Sequence, residues 1–392
     1  MKPLTTTMIP FLLLVIPIVG AFAACPPVSL NTSTNVWKNL SLYHNVYYSE
    51  QVLAAGPKIQ DPVLQKKALQ IADVGVFYWV NNVSNIQAVE SAVGNSKVPC
   101  DRIVGVVLQG IEGRNCTSPR FKVTAVETYK REFVDPLSKI IGQNPGTAFA
   151  VIVEPGPLGN IVVNLDSNLP SCAELRSTYR GNAAYAIRTL NLPNVVLYLD
   201  AGHGGTIGLD KHLKLGAEEL AALYKLAGSP SQVRGIAVNT ANYNSWDLSP
   251  GEFSNPWKKP ENFAINEQRF ITMLGKELAK VGVPHHAIMD TSRNGAQGWR
   301  YEWEDWCNIY GAGFGRRPTA EGLGLELADA FVWAKAGGVS DGTSDESSPS
   351  YDPFCGKVDA FKPSPEAGEW NQEYFEMLLE NARPEIEVDH GN

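Results

Sequence analysis

Two carboxylates stand where apolar runs stop. Asp200 follows Val195–Leu199 and opens Asp200-Ala201-Gly202-His203-Gly204-Gly205, and Glu154 follows Ala148–Val153 and opens Glu154-Pro155-Gly156. An acid at a strand end, followed by glycine, is placed for proton transfer at the mouth of an α/β fold. The same pattern also serves as a helix cap or a turn. A third polar group trails the run Ala330–Trp333: Lys335, Gly337-Gly338, then Asp341-Gly342-Thr343-Ser344-Asp345. It reads either as a loop bringing carboxylates to a site or as a solvated loop. A fourth, Gln109–Cys116, follows Ile103–Leu108. Trp299, Trp303, Trp306 and Trp333 crowd into one part of the chain. Sugars offer flat C–H faces to aromatic rings and hydroxyls to carboxylates and amides, so this mixture suits a glycan. Core packing is the alternative for these tryptophans.

Other chemistries find no residues. There is no CxxC, no His/Cys cluster with zinc spacing and no G-x-S-x-G elbow. Gly202-x-Gly204 lacks the rest of a dinucleotide fingerprint. No metal and no cofactor is expected, and His285-His286 reads as structural. With 33 Lys+Arg against 41 Asp+Glu the net charge is −8, which argues against a nucleic-acid partner. A chain of 392 residues, 44% hydrophobic and 19% charged, is globular in composition.

Residues 1–23 read as a secretory signal peptide. Lys2 gives the positive start, Met8–Gly20 the apolar run and Ala21-Phe22-Ala23 the cleavage pattern. The run is shorter than the roughly 20 residues that span a bilayer. Residues 24–392 are therefore expected to form one exported domain with no membrane partner. Export favours disulfides among Cys25, Cys100, Cys116, Cys172, Cys307 and Cys355, in a pairing that spacing alone does not fix. Sequons at Asn31, Asn39 and Asn82 read as surface glycosylation sites, and a disulfide at Cys116 would hinder the one at Asn115.

The elements that must position these groups are short, nearly continuous apolar runs: Gly75–Val80, Ile103–Leu108, Ala148–Val153, Val195–Leu199, Gly235–Val238 and Ala330–Trp333. Such runs mark parallel strands covered on both faces. Helical spacing over Val123–Ile141, Ala217–Leu226 and Glu267–Val281 lies between them. Alternating strand and helix predicts an α/β fold with a parallel sheet, closed as a barrel at this size.

Longer motifs carry a resemblance. Leu197-Tyr198-Leu199-Asp200-Ala201-Gly202-His203 resembles the YLDAGH signature of family 6 glycoside hydrolases, the fungal cellobiohydrolases and related endoglucanases. Asn45-x-Tyr47-Tyr48, Val238–Asn244, Asp305-Trp306-Cys307-Asn308, Gly313-Phe314-Gly315, Arg317-Pro318 and Phe331 to Asp345 resemble further blocks of that family in order. The resemblance implies a single-domain distorted parallel (β/α) barrel with a cleft or tunnel. It also implies a monomer acting on β-1,4-glucan or cello-oligosaccharide with inversion. Disulfides Cys116–Cys172 and Cys307–Cys355 are implied, with Cys25 and Cys100 remaining as a third pair. Substrate-binding positions carried over are Tyr43, Asp200, His203, Asn242, Trp306, Lys335 and Asp341.

Inverting hydrolysis needs an acid for the leaving oxygen and a carboxylate route that activates water. By resemblance the acid is the Asp of an E-P-D motif, and this chain has Gly156 there. The partner carboxylate, before Cys116, is Asn115, and the family Tyr that guides sugar distortion is Gln109. Arg114 and Cys116 match the pattern and anchor the alignment. The segment after Cys116 is short and lacks the family's lid motif, and two tryptophan platforms correspond to Thr206 and Leu209. No cellulose-binding module or linker is expected. Of the surrogate acids, Glu154 would share the strand face of Gly156 but lie about 6–7 Å back. Glu112 and Asp341 are the others. The expectation is a β-glucan-binding protein with hydrolysis very weak or absent. The alternative is an active inverting β-glucanase with a relocated acid.

Overall fold

The computed structural model describes residues 25–94, 97–112, 115–118, 121–253 and 262–388. The expected signal peptide and Arg114 lie outside these residues. Eight strands form one parallel sheet: β1 (Ser41–Leu42), β2 (Tyr78–Val80), β3 (Arg102–Leu108), β4 (Ala148–Val153), β5 (Val195–Asp200), β6 (Val233–Val238), β7 (His286–Asp290) and β8 (Ala328–Val332). The order is β1-β3-β4-β5-β6-β7-β8. β2 shares the outer edge of β3 with β1: Ser41 faces Arg102 and Tyr78 faces Val106.

The sheet curls until its ends nearly meet, making a barrel with one seam. Among the described residues no ladder joins β8 to β1 or β2. Single hydrogen bonds cross instead, from Phe77 N to Trp333 O (2.9 Å) and from Trp79 Nε1 to Ala334 O (2.6 Å). Alternate residues of each strand build two cores. Ile103, Val107, Ala150, Ile152, Val196 and Tyr198 fill the interior. Val104, Val106, Val151 and Leu197 meet the surrounding helices. This double burial is why the runs are apolar throughout. Gly105 is required inside, because a Cβ there would lie 2.4 Å from the Phe77 ring. At the bottom, Trp37 Nε1 donates to Tyr198 Oη (3.0 Å), which donates to Asp329, the carboxylate that holds Arg234.

The expected strands all occur, within a few residues at their ends, and Glu267–Val281 is a helix with those bounds. The helix expected over 123–141 is interrupted. Val126–Tyr129 leads into a π turn, Lys130–Val134, before Asp135–Gln143. Pro136 has no N–H for the α-helical bond, and the widened turn absorbs that loss. Disulfides join Cys25–Cys100, Cys116–Cys172 and Cys307–Cys355, closing sequence separations of 75, 56 and 48. Among the described residues no helix is long and apolar enough to cross a membrane.

Candidate active site

The chain leaves β3 through β8 at one end of the barrel, and buried carboxylates tie those exits together. Asp290, the last residue of β7, accepts from Ser292 N (3.0 Å) and Ala334 N (3.2 Å) through Oδ1. Through Oδ2 it accepts from Ala241 N (2.9 Å) and Lys335 N (3.1 Å). One side chain thus fixes the loops after β6, β7 and β8. Glu267 does the same beside β5, accepting from Gly204 N (2.9 Å) and Asn244 Nδ2 (2.7 Å). Burial pushes the Glu267 carboxyl up to about 7 against those two donors and Arg300.

Glu154 belongs to this group. It lies just past β4 with φ 52° and is wholly buried. Its two oxygens accept from Gly110 N (2.9 Å) and Ile111 N (3.1 Å). The strand alternation expected to aim it along the face of Gly156 stops at Val153, and the left-handed backbone turns it under the β3 exit instead. Gln109 is buried beside it, donating from Nε2 to Pro155 O (3.1 Å).

Gly156 is exposed at the mouth with φ 109°, a region that L side chains rarely adopt. Its N–H donates to Asp200 Oδ2 (3.3 Å), which also accepts from Gly202 N (3.1 Å). Asp200 is 2% exposed. Burial pushes its carboxyl up to about 7, with the Gly156 and Gly202 amides opposing. Asn115 is exposed and accepts from Thr117 N (3.0 Å) in a local turn. Asp200 and Gly156 are therefore brought into contact, and Asn115 is engaged with its own loop and with Asn160 Nδ2 (3.5 Å).

On the far side, Asp341 takes Arg293 Nη1 (2.6 Å), Lys335 Nζ (3.3 Å), Tyr243 Oη (3.0 Å) and Asn308 N (3.0 Å). Burial pushes its carboxyl up, but Arg293 and Lys335 outweigh burial and hold it below the usual range. Lys335 is pulled down by burial, with Asp341 opposing. His203 is held to about 3 by burial and Arg300, so it is neutral. Its Nδ1 accepts from Gly205 N (3.1 Å) and contacts Asn244 Nδ2. Asn242 is buried and receives Arg300 Nη1 (3.2 Å). Trp306 is half-buried against Phe354, with ring centres 6.1 Å apart. Tyr43 is buried, its ring 4.5 Å from that of His44. Thr206 lies within the short helix Gly204–Ile207 after Asp200, and Leu209 stands at the N-cap of the next helix, Asp210–Leu226.

Three contributors escape sequence reasoning. Asp290 ends a short apolar run as Asp200 does, which is the signal that could have found it. Trp79, half-buried in β2 with Lys335 Nζ 5.9 Å from its ring centre, was legible only as part of a strand. Arg293 is fully buried between Asp341 and Ala241 O, and its polar neighbours Ser292 and Asn294 give no sign of that. Among the described residues no group of three or more His, Cys, Asp or Glu side chains is arranged to hold a metal.

Residues 37–382 match the family model of the glycosyl hydrolases family 6. A 1,4-beta-D-glucan cellobiohydrolase, CEL6C of Podospora anserina, is 51% identical over 364 residues, covering 92% of this chain and 90% of its own. Exoglucanase 3 of Agaricus bisporus is 36% identical, covering 90% and 80%. The family 6 enzyme CcCel6C of Coprinopsis cinerea superposes with a TM-score of 0.84 at 30% identity, over 91% of this chain and 100% of its own. Cellobiohydrolase II of Humicola insolens, in complex with glucose and cellotetraose, gives 0.80 at 36%, over 90% and 100%.

Proposed function

The chain belongs to the glycosyl hydrolases family 6, and on that premise we propose that it is an exported, monomeric β-1,4-glucan-binding member in which hydrolysis is weak or lost. The observation that carries this reading is the strand-end Glu154-Pro155-Gly156. Position 156 has no proton to give, and Glu154 is committed to two backbone amides beneath the floor. Loss of general acid catalysis is worth about 10²–10⁴ in rate, or about 3–5 kcal/mol of barrier. The binding side is better furnished. Lys335 pairs with Asp341, which is held ionised, and lies 5.9 Å from the Trp79 ring centre, while the Trp79 and Trp306 rings are partly open. Three disulfides support an oxidising compartment, and Asn31, Asn39 and Asn82 are all exposed, as glycosylation needs.

One observation favours a second reading, an active inverting glucanase with a relocated acid. Asp200 touches Gly156 N and its carboxyl is pushed up to about 7, the range a general acid needs. Asp341 is held ionised between two cations, and Glu112 is exposed on a loop. Calorimetry and reducing-end release on one cello-oligosaccharide series separate the two readings. Heat without sugar release supports the first. Release that disappears in Asp200→Asn decides for the second. Gain of release in Gly156→Asp with Asn115→Asp would show that those two positions silence the chemistry.

A further inference from the structure

An aromatic surface lies outside the cleft. Trp299, Tyr301 and Tyr310 are 48%, 69% and 55% exposed, and Val358 beside them is 78% exposed. Large apolar side chains left together in water mark an interaction surface rather than chance. These rings are also held in place. Trp299 lies on Gly311, where a Cβ would come within 2.3 Å of the indole, and meets Tyr310 edge-on at 6.2 Å. Tyr310 stacks on Phe361 at 6.2 Å. Asp359 anchors both tyrosines through the backbone, accepting from Tyr301 N at Oδ2 (2.9 Å) and from Tyr310 N at its carbonyl (2.8 Å). Ordering that is already present in the free protein need not be lost on binding.

The surface continues the cleft. Asn308, two residues before Tyr310, donates its N–H to Asp341. The nearby charges are paired with each other, Lys357 with Glu302 at 2.6 Å and with Asp305. What remains is a rigid, aromatic rim with a slight acidic excess, which fits an uncharged ligand with apolar C–H faces and hydroxyl edges better than an anionic one. We propose that Trp299, Tyr301 and Tyr310 form a second glucan-binding surface that grips a β-1,4-glucan chain outside the cleft. This rests on the β-glucan reading given above.

The test uses the full chain and two variants, Trp299→Ala with Tyr310→Ala, and Tyr301→Ser, whose side chain makes little of the fold. Depletion isotherms on microcrystalline cellulose read the surface, and calorimetry with cellohexaose reads the cleft. Cellulose partitioning should fall about tenfold in the double variant, the scale of losing one or two aromatic stacking contacts. Tyr301→Ser should fall in the same direction, with the cellohexaose Kd within about twofold of wild type in both. Unchanged cellulose retention overturns the proposal, and so does a parallel loss of cellohexaose binding. A wild-type dimer in sedimentation that the double variant abolishes also overturns it, by assigning the surface to a second copy. If wild type binds cellulose through these residues but shows no cellohexaose heat, the surface stands and the cleft reading fails.

Discussion

Replacing Asp200 by Asn tests the electrostatics of the site most directly. Asparagine keeps the shape and leaves one oxygen to accept from Gly156 N and Gly202 N, but it cannot ionise. The folded Asp200 carboxyl stands near 7 against a usual 3.8, because burial disfavours its charge. At about 1.4 kcal/mol per pH unit, that difference sets a ceiling of about 4 kcal/mol. The sign follows from proton binding. The raised value means that folding takes up a proton between about pH 4 and 7, so this contribution is complete below about pH 4. It is lost as pH rises through about 7.

The variant lacks this dependence. Its unfolding free energy relative to wild type should therefore grow by up to about 4 kcal/mol between pH 4 and 8. Glu267, also near 7, lowers the stability of both proteins over the same window and cancels in the difference. Urea unfolding of both proteins at about pH 4, 6 and 8 measures the effect. Parallel stability curves would refute the argument, since they would mean that Asp200 is already ionised in the fold at pH 4.

Other expectations concern neighbouring positions. Glu154→Gln should lower stability by about 1–3 kcal/mol in urea, since two buried amides lose a charged acceptor. Any residual turnover per folded molecule should be unchanged. Gly156→Ala and Gly156→Asp should each cost about 1–3 kcal/mol, because φ 109° strains any side chain there; a cost in the Asp variant alone would assign the effect to charge beside Asp200. Cys307→Ser with Cys355→Ser should cost about 2–4 kcal/mol in oxidising buffer, because the bond closes a sequence separation of 48. Equal midpoints in urea would show that the segment holds without the bond.

The barrel was legible where physics acts locally. β3, β4 and β5 are buried on both faces, and their runs say so. β1 is two residues long, and β7 begins at the second residue of a histidine pair, so neither run stands out. Asp200 and Lys335 were visible as polar residues at run ends. The direction of Glu154 was not, because the alternation that aims side chains ends with the strand, and φ 52° one residue later redirects it. Asp290 shows only as the end of a short apolar run, and the loops it ties together converge only in the folded chain. The burial of Arg293 is a tertiary fact with no local mark.

The carboxylates present and the positions proposed to lack one divide by a second criterion besides chemistry. Glu154, Asp200, Glu267 and Asp290 are each buried, and each accepts from backbone amides of neighbouring loops. Removing any one leaves buried N–H groups without an acceptor, which penalises the fold whether or not sugar is ever cleaved. Gly156 and Asn115 are exposed; Gly156 N donates to Asp200, Cys116 N donates to Asn160 Oδ1, and the single amide oxygen of Asn115 already accepts from Thr117 N and Asn160 Nδ2. On the proposed reading a carboxylate at either place would serve turnover rather than the barrel, and at position 156 it would strain the backbone at φ 109°. If the acid belongs at position 156 as proposed, stability guards the floor of the site but not that position. On the proposed reading, a proton donor at position 156 could be lost while the loops tied together by Asp290, Arg293 and Asp341 stay assembled.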